Sequence, residues 1–132
     1  MGIYLIHGIF YKEQYPDHGA RHARTSPFLK DGLQRYDFFG HIYPNLTGFG
    51  YELAGELRDP LGPSWLCDIC LGDLYMKFTK TYGSDGGSIR FEYDFWFEEG
   101  IWVGEYCGPE FGSGVSKCVL TEVPMNYFDP PL

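Results

Sequence analysis

The chain has 132 residues, enough for one domain that buries about two thirds of its unfolded surface, and too few for a second core. A formal net charge of -8 at pH 7 argues against nucleic-acid binding, which needs a concentrated basic surface, and against docking on an anionic membrane. A fifth of the residues are aromatic, and 18 glycines are scattered along the chain, a balance that favours pleated strands punctuated by turns.

Residues Ile3 to Tyr11 carry apolar side chains on both faces, many of them β-branched or aromatic, which predicts a strand. The segment before His7 and Gly8 has neither a basic start nor an unbroken apolar run, so no secretory signal is visible and a cytoplasmic location is the expectation. IYLIHG resembles the strand that leads to the oxyanion hole of α/β-hydrolases. No G-x-S-x-G follows it, and the chain is too short for that fold.

The stretch 12–36 shows no alternation and is expected to be an irregular or partly helical insertion. It holds five basic residues (Lys12, Arg21, Arg24, Lys30, Arg35) against three acidic ones (Glu13, Asp17, Asp31), so a basic insertion sits on an acidic body. Loops of this length often act as lids or binding loops. His18 and His22, with Asp17, have metal-ligand spacing only if this stretch is helical, and a solvated polar loop is the preferred reading.

From there the chain reads as short strands joined by turn residues. Asp37 to Tyr43 is a strand that Pro44-Asn45 should end, and Gly50 to Asp59 alternates Tyr51, Leu53, Gly55 and Leu57 with polar neighbours. Asp59-Pro60-Leu61-Gly62-Pro63 is turn chemistry. Ser64 to Leu71 places Trp65, Cys67, Ile69 and Leu71 on one face, and Leu74 to Tyr82 places Leu74, Met76 and Phe78 inward. Ser88 to Phe97 has the clearest period of two, with Phe91, Tyr93 and Phe95 on one face, and Glu98-Glu99-Gly100 links it to Ile101 to Cys107. Val115 to Val123 is the last strand, and prolines follow.

About eight antiparallel strands in succession, nearly all joined by tight turns, predict an all-β up-and-down barrel spanning a single domain, 1–132. Eight is also the strand number at which a closed barrel can just hold one small ligand. The run GYELAGELRDPLGPSWLCDICLG, then MKFTKTY, IRFEYDFWF and WVGEY resembles the calycin barrels, the lipocalin, fatty-acid-binding and avidin group. The resemblance is architectural. It implies a barrel with an interior cavity and a small, often apolar ligand, and it transfers no functional residue.

Four cysteines, Cys67, Cys70, Cys107 and Cys118, include a C-x-x-C pair. On an extended strand positions i and i+3 face opposite ways, so these two thiols diverge unless the strand bulges there. Buried apolar cysteines are therefore the expected state, with a Cys107–Cys118 disulfide and a zinc site as alternatives. No metal or other cofactor is expected. Glu105 is a candidate proton carrier if it points inward. The preferred assignment turns Trp102 and Tyr106 inward and leaves Glu105 in water, because burying an unpaired carboxylate is costly.

The candidate ligand-binding residues are Tyr51, Trp65, Tyr82, Phe91, Tyr93, Trp102 and Tyr106, since pockets are mostly apolar with a few orienting polar groups. The function expected first is non-catalytic binding of a small apolar or aromatic molecule. An acidic protein-interaction or inhibitory module with a basic protein partner is the second, and a small barrel enzyme of cyclase or isomerase type the third.

Overall fold

A computed structural model of the chain describes residues 2–12, 34–83, 89–108 and 112–126. The expected insertion and its histidines lie, for residues 13–33, outside the described residues. The elements are eight strands: β1 (Ile3–Lys12), β2 (Gln34–Thr47), β3 (Gly50–Asp59), β4 (Gly62–Leu71), β5 (Tyr75–Tyr82), β6 (Ile89–Glu98), β7 (Ile101–Gly108) and β8 (Gly112–Val123). Each pairs antiparallel with its neighbour in the chain, and β8 returns to β1 to close the barrel. Closure satisfies the outer edges that aromatic-rich strands would otherwise expose.

Turn chemistry sets the short connections. Glu99 and Gly100 both have positive φ (51° and 87°), as a two-residue type I′ hairpin between Glu98 and Ile101 requires. In the β3–β4 turn the Asp59 carboxylate accepts a hydrogen bond from the Leu61 amide at 2.7 Å, and in the β2–β3 turn the Thr47 hydroxyl accepts one from the Phe49 amide at 3.1 Å.

Alternation places one residue in two inside. Ile6, Phe10, Phe38, Ile42, Leu57, Leu66, Met76, Phe78, Tyr93, Phe95, Trp102, Tyr106 and Cys118 form one buried cluster drawn from all eight strands. Two inward glycines make the tight curvature possible. A Cβ on Gly40 would run into the Glu56 carbonyl, and one on Gly104 into the Asp94 carbonyl, each on the neighbouring strand.

Three local expectations are corrected. Pro44 does not end β2: the strand continues to Thr47. Pairing of β1 with β2 begins at Tyr4 and Ile42, and pairing of β3 with β4 at Gly55 and Leu66, so within the ladder residues 43–54 pair only with each other. They form a two-stranded ribbon at the tip of the β2–β3 hairpin, where a proline needs no second ladder partner.

The second correction concerns β4. Asp68, at φ 52°, is the extra residue of a β-bulge between Cys67 and Cys70, and the inward face changes parity across it. Ser64 and Leu66 are buried before the bulge, and Ile69 and Leu71 pack against the core after it. Trp65 and Cys67 therefore face outward, away from the side that Ile69 and Leu71 occupy. The third is Leu74, which is exposed in the turn before β5 and does not point inward.

Candidate functional site

The two ends of the barrel differ. At one end lie the β2–β3, β4–β5 and β6–β7 turns, the beginning of β1 and the end of β8. At the other lie the β3–β4 turn, the ends of β1, β5 and β7 and the beginnings of β2, β6 and β8. The interior is apolar toward the first end, where Met76, Phe95 and Ile42 are fully buried. Toward the second it becomes polar and aromatic.

The centre of that polar half is Lys80. The alternation of β5 carries Met76 and Phe78 inward and must carry Lys80 and Tyr82 inward too. Lys80 Nζ stands 2.8 Å from Asp59 Oδ2, with side-chain exposures of 1% and 0%. Tyr82 donates its hydroxyl proton to the same carboxylate oxygen at 2.6 Å, and the other oxygen takes the Leu61 amide. The carboxylate is thus held by a strand residue, an ammonium and its own turn.

Aromatic rings enclose the ammonium. Lys80 Nζ lies 4.5 Å from the Phe10 ring centroid, 4.7 Å from that of Tyr82 and 5.5 Å from that of Tyr93, within the range in which ring quadrupoles attract a cation. It also donates to the Tyr93 hydroxyl at 3.4 Å. Burial pushes the Lys80 ammonium below its ordinary value while Asp59 pulls it back up. Burial and the adjacent Asp59 both push the Tyr82 phenol well up, and burial does the same to Tyr93. The Asp59 pairing thus offsets part of what burial costs the Lys80 ammonium, and both phenols are held neutral.

The rings continue across the barrel. Tyr93 stacks on Tyr106 at 5.1 Å, Tyr106 meets Phe10 edge-on at 5.6 Å, and Phe10 stacks on Tyr36 at 5.0 Å. Phe91 meets Tyr106 at 5.8 Å and Tyr82 at 6.2 Å. Tyr106 also donates to the Tyr11 carbonyl at 2.6 Å. These contacts fill the middle of the barrel. Tyr36 and Phe91 remain half-buried above it, at the mouth.

Four of the seven candidate residues, Tyr82, Phe91, Tyr93 and Tyr106, are brought together here. Trp102 is buried as well, but it packs on Phe97 at 5.1 Å beside the β6–β7 turn, at the opposite end. Tyr51 is 66% exposed on the projecting ribbon, and Trp65, 51% exposed, lies outside the wall against Gly83. Both were expected inside. For Trp65 the bulge explains the difference, and for Tyr51 the reason is that its part of β3 extends past the barrel. Glu105 is exposed on the outer wall while Trp102 and Tyr106 point inward, as the cost of burying a carboxylate requires.

Lys80 and Asp59 were not singled out from the sequence. The parity of β5 was the signal available for Lys80. Asp59 carries the parity of Gly55 and Leu57, and its place in a turn motif concealed it. The cysteines also depart from expectation: Cys118 is buried, whereas Cys67, Cys70 and Cys107 are exposed, and all four are free thiols. Cys107 pairs with Ser113 and Cys118 with Trp102, so these two are not cross-strand partners.

The sequence matches no protein-family model, and neither a curated protein nor a solved structure is similar to it.

Proposed function

We propose that this protein is a non-catalytic, calycin-type binding barrel that holds a small aromatic or apolar molecule at the mouth formed by Tyr36, Phe91, Tyr82 and Tyr106. The observation that carries this reading is the Lys80–Asp59 pair, sealed under aromatic rings at the end where β1 finishes and β2 begins. A plug of aliphatic side chains would close the barrel at less cost, because a buried ion pair repays its desolvation poorly. Rings with a polar group beneath them are the make-up of a small-molecule site, in which apolar area gives affinity and a few polar groups give orientation.

The test is a titration with 1-anilinonaphthalene-8-sulfonate, an aromatic anion whose fluorescence rises on transfer to an apolar site. Saturable binding at one site, weakened roughly tenfold by Phe91→Ala and unchanged by Trp65→Ala or Phe49→Ala, is the expected result. Fluorescence that follows Phe49, or that ignores Phe91, would move binding away from the mouth and end the proposal.

One observation favours the second reading, an interaction module with a basic partner. The projecting ribbon carries Phe49 at 100% exposure and Leu46 at 69%, next to exposed Glu52. An apolar tip with an acidic flank suits a segment that mixes apolar and basic residues. A proton-transfer enzyme finds less support, since its carboxylate candidate, Glu105, stands on the outer wall.

A further inference from the structure

A straight strand would send the thiols of Cys67 and Cys70 to opposite sides of the sheet. The bulge at Asp68 changes this: Cys67 stands opposite Thr79 and Cys70 opposite Lys77, two positions on one face of β5. Both thiols therefore project from the outer wall, and both are exposed. Thr79 and Lys77, with Asp68, Phe78, Glu92, Tyr93 and Asp94, line a groove of about 460 Å³ on the adjoining part of β5 and β6.

Spacing decides what two such thiols can do. Two residues of strand separate their anchor points by about 7 Å, whereas a disulfide wants its Cβ atoms about 3.5–4.5 Å apart. Direct oxidation to a 67–70 disulfide would require the backbone to move. A metal that bonds each thiolate at roughly 2.3 Å holds the sulfurs as much as about 4.6 Å apart, and two side chains leaning together from about 7 Å reach that separation. Among the described residues no group of three or more His, Cys, Asp or Glu converges as a metal site, so these two thiols lack the further ligands of a tetrahedral zinc site. Copper(I) is satisfied by two thiolates and prefers them to harder ligands.

We propose that Cys67 and Cys70 form a two-thiolate site for a soft monovalent metal ion of the copper(I) class. Binding forms two S–Cu bonds and breaks two S–H bonds. The complex carries one net negative charge, and the two protons pass to solvent. The Cys67 thiol, which donates to Asp68 Oδ2 at 3.9 Å, gives up that proton. Burial and the neighbouring Asp68 carboxylate push its pKa up, and Arg90 acts in the opposite direction. Arg90 and Lys77, opposite Cys70, offset the charge of the finished site. The acidic groove supplies the field that draws the cation in.

The test is an anaerobic copper(I) titration of the full-length protein against a colorimetric chelator, with Cys107→Ser, Cys67→Ser and Cys70→Ser compared and the fold checked by circular dichroism. One equivalent bound by the wild type and by Cys107→Ser, with affinity about 100-fold weaker in either of the other two, is expected from loss of chelation. Three results would overturn the proposal. One is binding that tracks Cys107, and another is single-thiol variants that bind like the wild type. The third is rapid formation of a 67–70 disulfide with oxidised glutathione, seen as a loss of two mass units on the peptide holding both cysteines, because it would show that the spacing is wrong.

Discussion

Lys80 Nζ and Asp59 Oδ2 are 2.8 Å apart with both side chains sealed from solvent, and 21 residues separate them in the chain. The contact ties the β3–β4 turn to the inward face of β5 across the mouth of the barrel. With Tyr82 on the same oxygen, it joins turn, strand and aromatic lining into one network.

Cutting one side of this pair strands a buried charge. Asp59→Asn and Lys80→Met should each lower unfolding free energy in urea by about 3–5 kcal/mol. Lys80→Met combined with Asp59→Asn should recover much of that loss, because neither residue then carries a charge. A double variant as unstable as the sum of the singles would show that the two sites do not act together.

The buried Cys118 thiol predicts an alkaline limb in stability. Burial pushes its pKa from 9.0 up to about 12, so the folded chain holds this proton more tightly than the unfolded chain. The resulting stabilisation is complete below pH 9 and is lost as pH rises from 9 toward 12. Tyr82 and Tyr93, both raised, add to the loss above pH 10, while Lys80, whose pKa is lowered, acts in the opposite direction. Urea midpoints measured between pH 8 and 10.5 should fall for the wild type. In Cys118→Val the fall should begin at higher pH.

Gly104→Ala should cost about 1–3 kcal/mol or more, as overpacking against an immobile backbone does, because the added methyl meets the Asp94 carbonyl and the Phe95 Cα. Gly48→Ala, at a turn position with open space around it, is the matched control. Thermal melts of the two variants would separate curvature strain from a general effect of replacing glycine.

Phe49 is fully exposed at the ribbon tip and buries nothing in the isolated chain. Phe49→Ser should leave unfolding free energy within about 0.5 kcal/mol of wild type. If the ribbon engages a basic partner, the same change should abolish capture of that partner and leave the chelator titration at the two thiols unaltered.

How much of this could be read from the chain varies by residue. The strand positions of Phe91, Tyr93, Phe95, Trp102 and Tyr106 follow from alternation, and the structure places all five inside. Trp65 could not be placed by the same rule, because one extra residue three positions later reverses the parity on which the rule depends. Lys80 obeyed the alternation, yet a lysine is almost never fully buried unless it is paired, and the partner that reverses this expectation is not local.

The sequence by itself determined eight strands, their order and their antiparallel succession. Period-two patterning and turn residues act over only a few neighbours, and tight turns leave adjacent strands little choice of partner. The barrel itself was also legible. Only the tertiary structure decided the rest. The sealed Lys80–Asp59 pair, the free ribbon beyond Ile42 and Gly55, and the turning of two cysteines to one wall each depend on register between strands, which arises from the packing of the whole barrel and is written in no short segment.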